Sequence, residues 1–179
     1  MTGVAVRPLT ALGGRGRRRY ALVMAADFRH LHDRDFAEWA LNQAKALREK
    51  RFADVDSAIL ANELERMVSR ERSEINTRLE ALTVQLLMWT VQPATRTEAF
   101  QSAILDQRTS LDSLLRSSPS LRGVIEVGLP RTYTSALDTA EGAGIPRAMF
   151  PAEPVFTLEQ LVDRAFWPAS LFGGRAFSF

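Results

Sequence analysis

Three groups of side chains in this 179-residue sequence are of types that can do chemistry. The first is Glu63, Glu65 and Glu71, because hard divalent cations want several carboxylate oxygens. On a helix, residues 63 and 65 do not share a face, and Glu71 lies about two turns beyond Glu63. No aspartate or histidine at four-residue spacing joins them, so they read as solvated acids on a helix. The second group is His30-x-His32 with Asp27, Asp33 and Asp35, which is metal-like in composition. It lies at the edge of any fold and lacks a partner in sequence, so it reads as an exposed N-terminal turn.

The third group is polar residues set in or beside apolar stripes: Gln43, Glu71, Gln85 and Gln107. A buried amide or carboxylate costs free energy unless it is hydrogen-bonded, so these should pair with something. If a turn centred on Pro93 joins two antiparallel helices, Gln107 falls beside Leu79 and Arg78, and Arg108 falls beside Arg78. The expectation is a buried polar network of Gln43, Glu71, Arg78, Gln85, Gln107 and Arg108. A network that fixes helix register fits this pattern better than a ligand site.

Other chemistries lack their residues. The chain has no cysteine, which excludes disulfides, thiolate zinc sites and a cysteine nucleophile. Ser110, Ser113, Ser117 and Ser118 have neither a glycine-framed nucleophile motif nor a histidine base. Gly142-Ala143-Gly144 has no strand before it, so it is not a dinucleotide fingerprint. No catalytic residue, metal ligand or cofactor-binding residue is assigned, and the sequence leans away from an enzyme.

The charge is uneven. There are 23 basic and 21 acidic residues, and five of the arginines (Arg7, Arg15, Arg17, Arg18, Arg19) fall in residues 1–23, which hold no acid. Residues 24–179 therefore carry 18 bases against 21 acids, a net of −3. A body of that sign gives no nucleic-acid-binding face, so nucleic acid is not an expected partner. Residues 1–23, which include the run Gly13–Arg19, read as a disordered basic tail or as an over-long gene start with Met24 as the true initiator. An arm for nucleic acid or the start of a signal peptide are the other readings. No run of about 18 apolar residues is present, so no membrane span is expected.

These residues are positioned by helices. Asp33 to Lys50 is predicted as the first, with Phe36, Trp39, Ala40, Gln43, Ala44 and Leu47 on one face. Asp56 is a candidate N-cap for a long helix over Ser57–Trp89. That helix has an apolar stripe of Leu60, Leu64, Met67, Ile75, Leu79, Leu82, Leu86 and Trp89, and a length of about 50 Å. Pro93 closes it. A third helix follows over Arg96–Ser117 with Phe100, Ala103, Ile104, Gln107, Leu111, Leu114 and Leu115 inward. Ser118-Pro119 reads as N-cap and first-turn proline of a fourth helix. Gly123, Gly128 and Pro130 interrupt that helix, and a break or kink near 127–130 is expected. Thr157 with Gln160 fits a capping box for a short helix to about Arg164. Phe150, Phe156, Phe166 and Trp167, framed by prolines, read as a latch. The fold class is all-α: an antiparallel helical bundle of about four main helices with a short C-terminal helix and that latch. It forms one domain over 24–168, followed by a tail at 169–179.

The chain resembles the bacterial family known as domain of unknown function twenty-nine. The resemblance covers Asp35 to Pro168. It rests on Asp35-Phe36 with Trp39 and Gln43-Ala44; on Asn62-Glu63-Leu64-Glu65 with Met67; and on Glu71, Arg78-Leu79, Leu86-Leu87, Trp89 and Gln92-Pro93. It continues through Gln107-Arg108, Ser118-Pro119-Ser120-Leu121, Tyr133, Phe150-Pro151, Pro154, Leu161 and Phe166-Trp167-Pro168. It implies an all-helical bundle without an established activity. The chain departs from the family pattern at Ile59, Asn62, Val68, Gln85, Met88 and Phe100, several of them places where the family carries polar groups.

The functional expectation is a cytoplasmic, non-catalytic helical interaction module, self-associating most simply as a twofold dimer, with an unidentified protein partner as a further option. The alternatives are a nucleic-acid-associated regulator using the arginine arm, and a metal-dependent enzyme using acids on the long helix.

Overall fold

The structure is a computed structural model that describes residues 31–169. The expectations placed on residues 1–23, on Asp27 and His30, and on 170–179 lie outside the described residues. Within them the fold is all-α: helices α1 (Phe36–Arg48), α2 (Ser57–Val91), α3 (Glu98–Ser117), α4 (Arg122–Gly142) and α5 (Leu158–Val162), joined by single 3-10 turns. The chain divides into two compact units, with the boundary at Met67–Val68 inside α2.

In the first unit, the Asp35 carboxylate accepts from the Glu38 N–H and starts α1, later than the expected Asp33. The helix ends with Lys50 in the left-handed region at φ 55°. The Arg51 N–H bonds back to Ala46 O at 2.8 Å and the Lys50 N–H to Leu47 O at 3.1 Å, a Schellman closure made without the usual glycine. Trp39, Gln43 and Ala46 are buried, whereas Phe36 and Leu47 at the ends of the expected stripe are 50% and 41% exposed. The buried arc of α1 is narrower than the apolar one. Asp56 caps α2, its carboxylate accepting from the Ile59 N–H at 3.1 Å.

In the second unit, α2 and α3 form the hairpin that Pro93 predicts. Ile75, Leu79, Leu82, Leu86, Ile104, Leu111, Ile125, Tyr133, Leu137, Phe156 and Leu161 belong to one closed core. The latch is part of that core through Phe150, Phe156, Phe166 and Trp167, and the Tyr133 hydroxyl donates to Pro151 O at 3.1 Å. Thr157 and Gln160 form the capping box of α5, which stops at Val162 and not near Arg164.

Two expectations are corrected. The long stripe on α2 is buried only from Ile75 onward; Leu64 and Met67 are 56% and 60% exposed. Apolar spacing shows that a face is apolar, not that anything covers it. The helix after Pro119 is also unbroken through 127–130, with Pro130 in its interior. The proline removes one N–H, but the carbonyl it would have served belongs to exposed Glu126, where water can serve it. The hydroxyls of Thr132 and Thr134 donate to Gly128 O and Pro130 O within the same turns. Burial of Ile125, Tyr133, Ala136, Leu137 and Ala140 on both sides outweighs the local cost.

Candidate functional site

The polar residues singled out from the sequence fall into separate contacts. In the second unit, Arg78 on α2 bridges two acceptors: its Nε donates to Glu74 at 2.6 Å and its Nη1 to Gln107 Oε1 on α3 at 3.2 Å. Gln107 therefore stands where the Pro93 turn predicts. Two turns earlier on α2, Glu71 accepts from the Ser118 hydroxyl at 2.7 Å and from Ser117 at 3.3 Å. Ser118 thus spends its hydroxyl on Glu71 and makes no side-chain cap for the helix that follows. Gln85 has a buried Oε1 without a hydrogen-bond partner.

Arg108 makes a different contact. It is fully buried, and its Nε donates to Leu161 O at 3.0 Å, near the C-terminal end of α5. Its guanidinium lies over the Trp167 ring, 5.3 Å from the centroid. Trp167 packs on Trp89 at 4.7 Å, and Arg96 lies over Trp89 at 5.4 Å. The two tryptophans thus lie between two arginines, in a stack that ties the latch to the hairpin. Burial lowers the Arg108 pKa from its ordinary value, and nearby Asp163 opposes that shift. Both Arg108 Nη atoms are buried without a hydrogen-bond partner.

Gln43 belongs to the first unit. Its Oε1 accepts from the Asp56 N–H at 2.8 Å, so α1 supplies an acceptor for the chain entering α2. Its Nε2, like the Trp39 indole Nε1, is buried without a partner.

The first unit also holds a contact that sequence reasoning missed. Glu63 is buried at 6% exposure and is not a solvated acid. His32 is not an exposed turn residue either: its Nε2 lies 2.9 Å from Glu63 Oε1, and its Nδ1 lies 3.3 Å from Asp33. Arg66 donates to the same Glu63 oxygen at 2.6 Å. His32 sits edge-on to Trp39, with centroids 4.8 Å apart. The hydrogen bond to Asp33, then that to Glu63, raises the His32 pKa above its ordinary 6.5. The His32 contact, then Arg66, lowers the Glu63 carboxyl below its ordinary 4.5. With both ring nitrogens facing carboxylates, the surroundings favour the charged form of the imidazole. The one signal in the sequence was Arg66 one turn after Glu63. The 31-residue separation of His32 from Glu63 gave no periodic cue.

Glu65 is exposed and Glu71 is engaged by serines, so neither joins Glu63. Among the described residues no group of three or more His, Cys, Asp or Glu is placed to hold a metal ion. Among them, too, no helix is long and apolar enough to cross a membrane.

The family model described as Domain of unknown function DUF29 matches residues 31–167, and the chain belongs to that family. No curated protein matches the chain, and no solved structure does.

Proposed function

We propose that the chain is a non-catalytic helical interaction module that self-associates as a twofold dimer through the exposed apolar stretch of α2. The observation that carries this reading is the exposure of Leu64, Met67 and Val68, at 56%, 60% and 53%, on one face of the helix at three- and four-residue spacing. An apolar patch of this kind on a soluble domain marks an interaction site more often than an accident. Phe36, Leu41 and Phe52 add exposed apolar area in the unit that holds Leu64 and Met67.

A second copy suits this stretch because an apolar face complements itself, as a twofold interface requires. Antiparallel pairing of two α2 helices about an axis at Met67–Val68 sets the apolar residues of one copy on those of the other. The natural chain has no cysteine, which makes the geometry directly testable. Met67→Cys, oxidised at low micromolar concentration, is expected to form a disulfide-linked dimer, because the proposed axis brings the two side chains together. Leu41→Cys, exposed on another helix, is expected to stay monomeric. Equal cross-linking of the two variants, or none at Met67→Cys, would refute the proposed geometry.

A further inference from the structure

A groove of about 430 Å³ lies between α2 and α4 within the second unit. Arg72, Asn76 and Glu80 recur every fourth residue and form its α2 wall. Gly128, Arg131, Thr132 and Ser135 lie along its α4 wall. The two helices run in the same direction. Glu71 bonds Ser118 just before α4, and Glu80 bonds Thr139 near the α4 C-terminus. Glu80 and Thr139 are 59 residues apart. Arg72 on α2 and Arg131 on α4 thus stand on opposite walls of one groove.

Two like charges lining one groove favour an anion between them. Among the described residues neither Arg72 nor Arg131 has an ion-pair partner, and the Asn76 and Ser135 side chains make no hydrogen bond. The acid in the lining, Glu80, is about 12 Å along the helix from Arg72, and its carboxylate accepts from the Thr139 hydroxyl at 3.0 Å. Thr132 is 8% exposed, and its hydroxyl makes only a long 3.4 Å contact to Gly128 O.

The composition of α4 points to the same place. Gly128, Pro130 and Thr132 disfavour helix, yet they lie together in the interior of α4 beside the groove. A Cβ built at Gly128 meets nothing within 4 Å, so packing does not demand glycine there. What the glycine does is keep the groove open. A local rule broken without a packing gain is the mark of a functional position.

We infer that this groove binds a phosphate group, with Arg72 and Arg131 clamping it from opposite walls and Asn76, Thr132 and Ser135 donating to the remaining oxygens. Two guanidinium forks with three further donors exceed the roughly four lone-pair sites of a carboxylate, and they suit a tetrahedral phosphate. The volume exceeds that of phosphate alone and suits a small phosphomonoester whose organic part lies against half-exposed Val124.

Isothermal titration calorimetry on the full chain tests this with inorganic phosphate, glycerol 3-phosphate and acetate. Saturable binding of either phosphate is expected, weakening as salt rises, with acetate at least tenfold weaker. Tighter binding of glycerol 3-phosphate assigns the site to an organic phosphate, and tighter binding of inorganic phosphate assigns it to the free ion. Arg72→Gln and Arg131→Gln, both at exposed positions, should each weaken binding about tenfold or more. Arg116→Gln, on α3 and paired with Asp112, should not. Gly128→Leu should abolish binding while keeping the helical circular dichroism and the melting temperature. Failure of both phosphates to bind, acetate binding as well as phosphate, or unchanged affinity in the Arg131→Gln or Gly128→Leu protein would overturn the inference.

Discussion

The two units of this chain are held together by different physics. After Val68, apolar side chains from α2, α3, α4, α5 and the latch close on one another, and Ile75, Leu79, Leu82 and Leu86 have no exposed area. Before it, the buried set among the described residues is Trp39, Gln43, Ala46 and Glu63, and polar contacts do much of the holding: His32 with Glu63, Glu63 with Arg66, and Gln43 with the start of α2. Phe36, Leu41, Phe52, Leu64 and Met67 of that unit face solvent. A closed core needs no partner. The segment that keeps polar groups inside and apolar groups outside is the one through which we propose association.

The contrast predicts unequal responses to truncation. Leu86→Ala in the second unit should cost about 2–5 kcal/mol, and Trp89→Ala about 3–5 kcal/mol, since each leaves a cavity in a packed core. Urea unfolding followed by circular dichroism measures this; a loss below about 1 kcal/mol at either position would show that the core is not closed.

The first unit should instead respond to pH. His32 has a raised pKa, so its contribution is complete below its ordinary 6.5 and fades as pH climbs through the raised value. Glu63 has a lowered pKa, so its contribution is complete above its ordinary 4.5 and fades as pH drops through the lowered value. Hydrogen exchange of α1 amides, corrected for intrinsic rate, should be slowest between those two ordinary values and faster on either side. Glu63→Gln should flatten that profile while leaving α3 amides alone. A pH-independent α1 in the natural chain would contradict the assignment.

Two smaller effects sharpen the comparison. Lys50→Gly should stabilise by roughly 0.5–1 kcal/mol, because the left-handed conformation at φ 55° suits glycine and strains lysine. An increase in urea midpoint checks it, and a decrease would mean that the lysine stem packs. Met67→Ala, measured where the chain is monomeric, should change stability by no more than about 0.5 kcal/mol, as exposed positions do. A core-sized loss there would place Met67 inside.

The pattern of what the sequence showed follows the same divide. The hairpin at Pro93, the Arg78–Gln107 contact, the Asp56 cap and the Thr157–Gln160 box were legible because each depends on spacing along one or two adjacent helices. The continuity of α4 through Pro130 was not, because propensity is local and the burial of Tyr133 and Leu137 that overrides it is not. The His32–Glu63 contact was hidden for the same reason: a charged pair far apart in sequence leaves no period. The exposure of Leu64 and Met67 was hidden most deeply, since an exposed apolar stripe and a buried one have the same spacing.

Sedimentation equilibrium of the natural chain beside the Leu64→Asp, Met67→Asp double variant tests self-association most directly. Both substitutions fall on exposed positions, so the variant should keep its helical content and its melting temperature. The natural chain should approach twice its 20.0 kDa mass at high micromolar concentration, while the variant stays at 20.0 kDa. A natural chain that remains at the monomer mass throughout, or a variant that associates as strongly as the natural chain, would contradict the account.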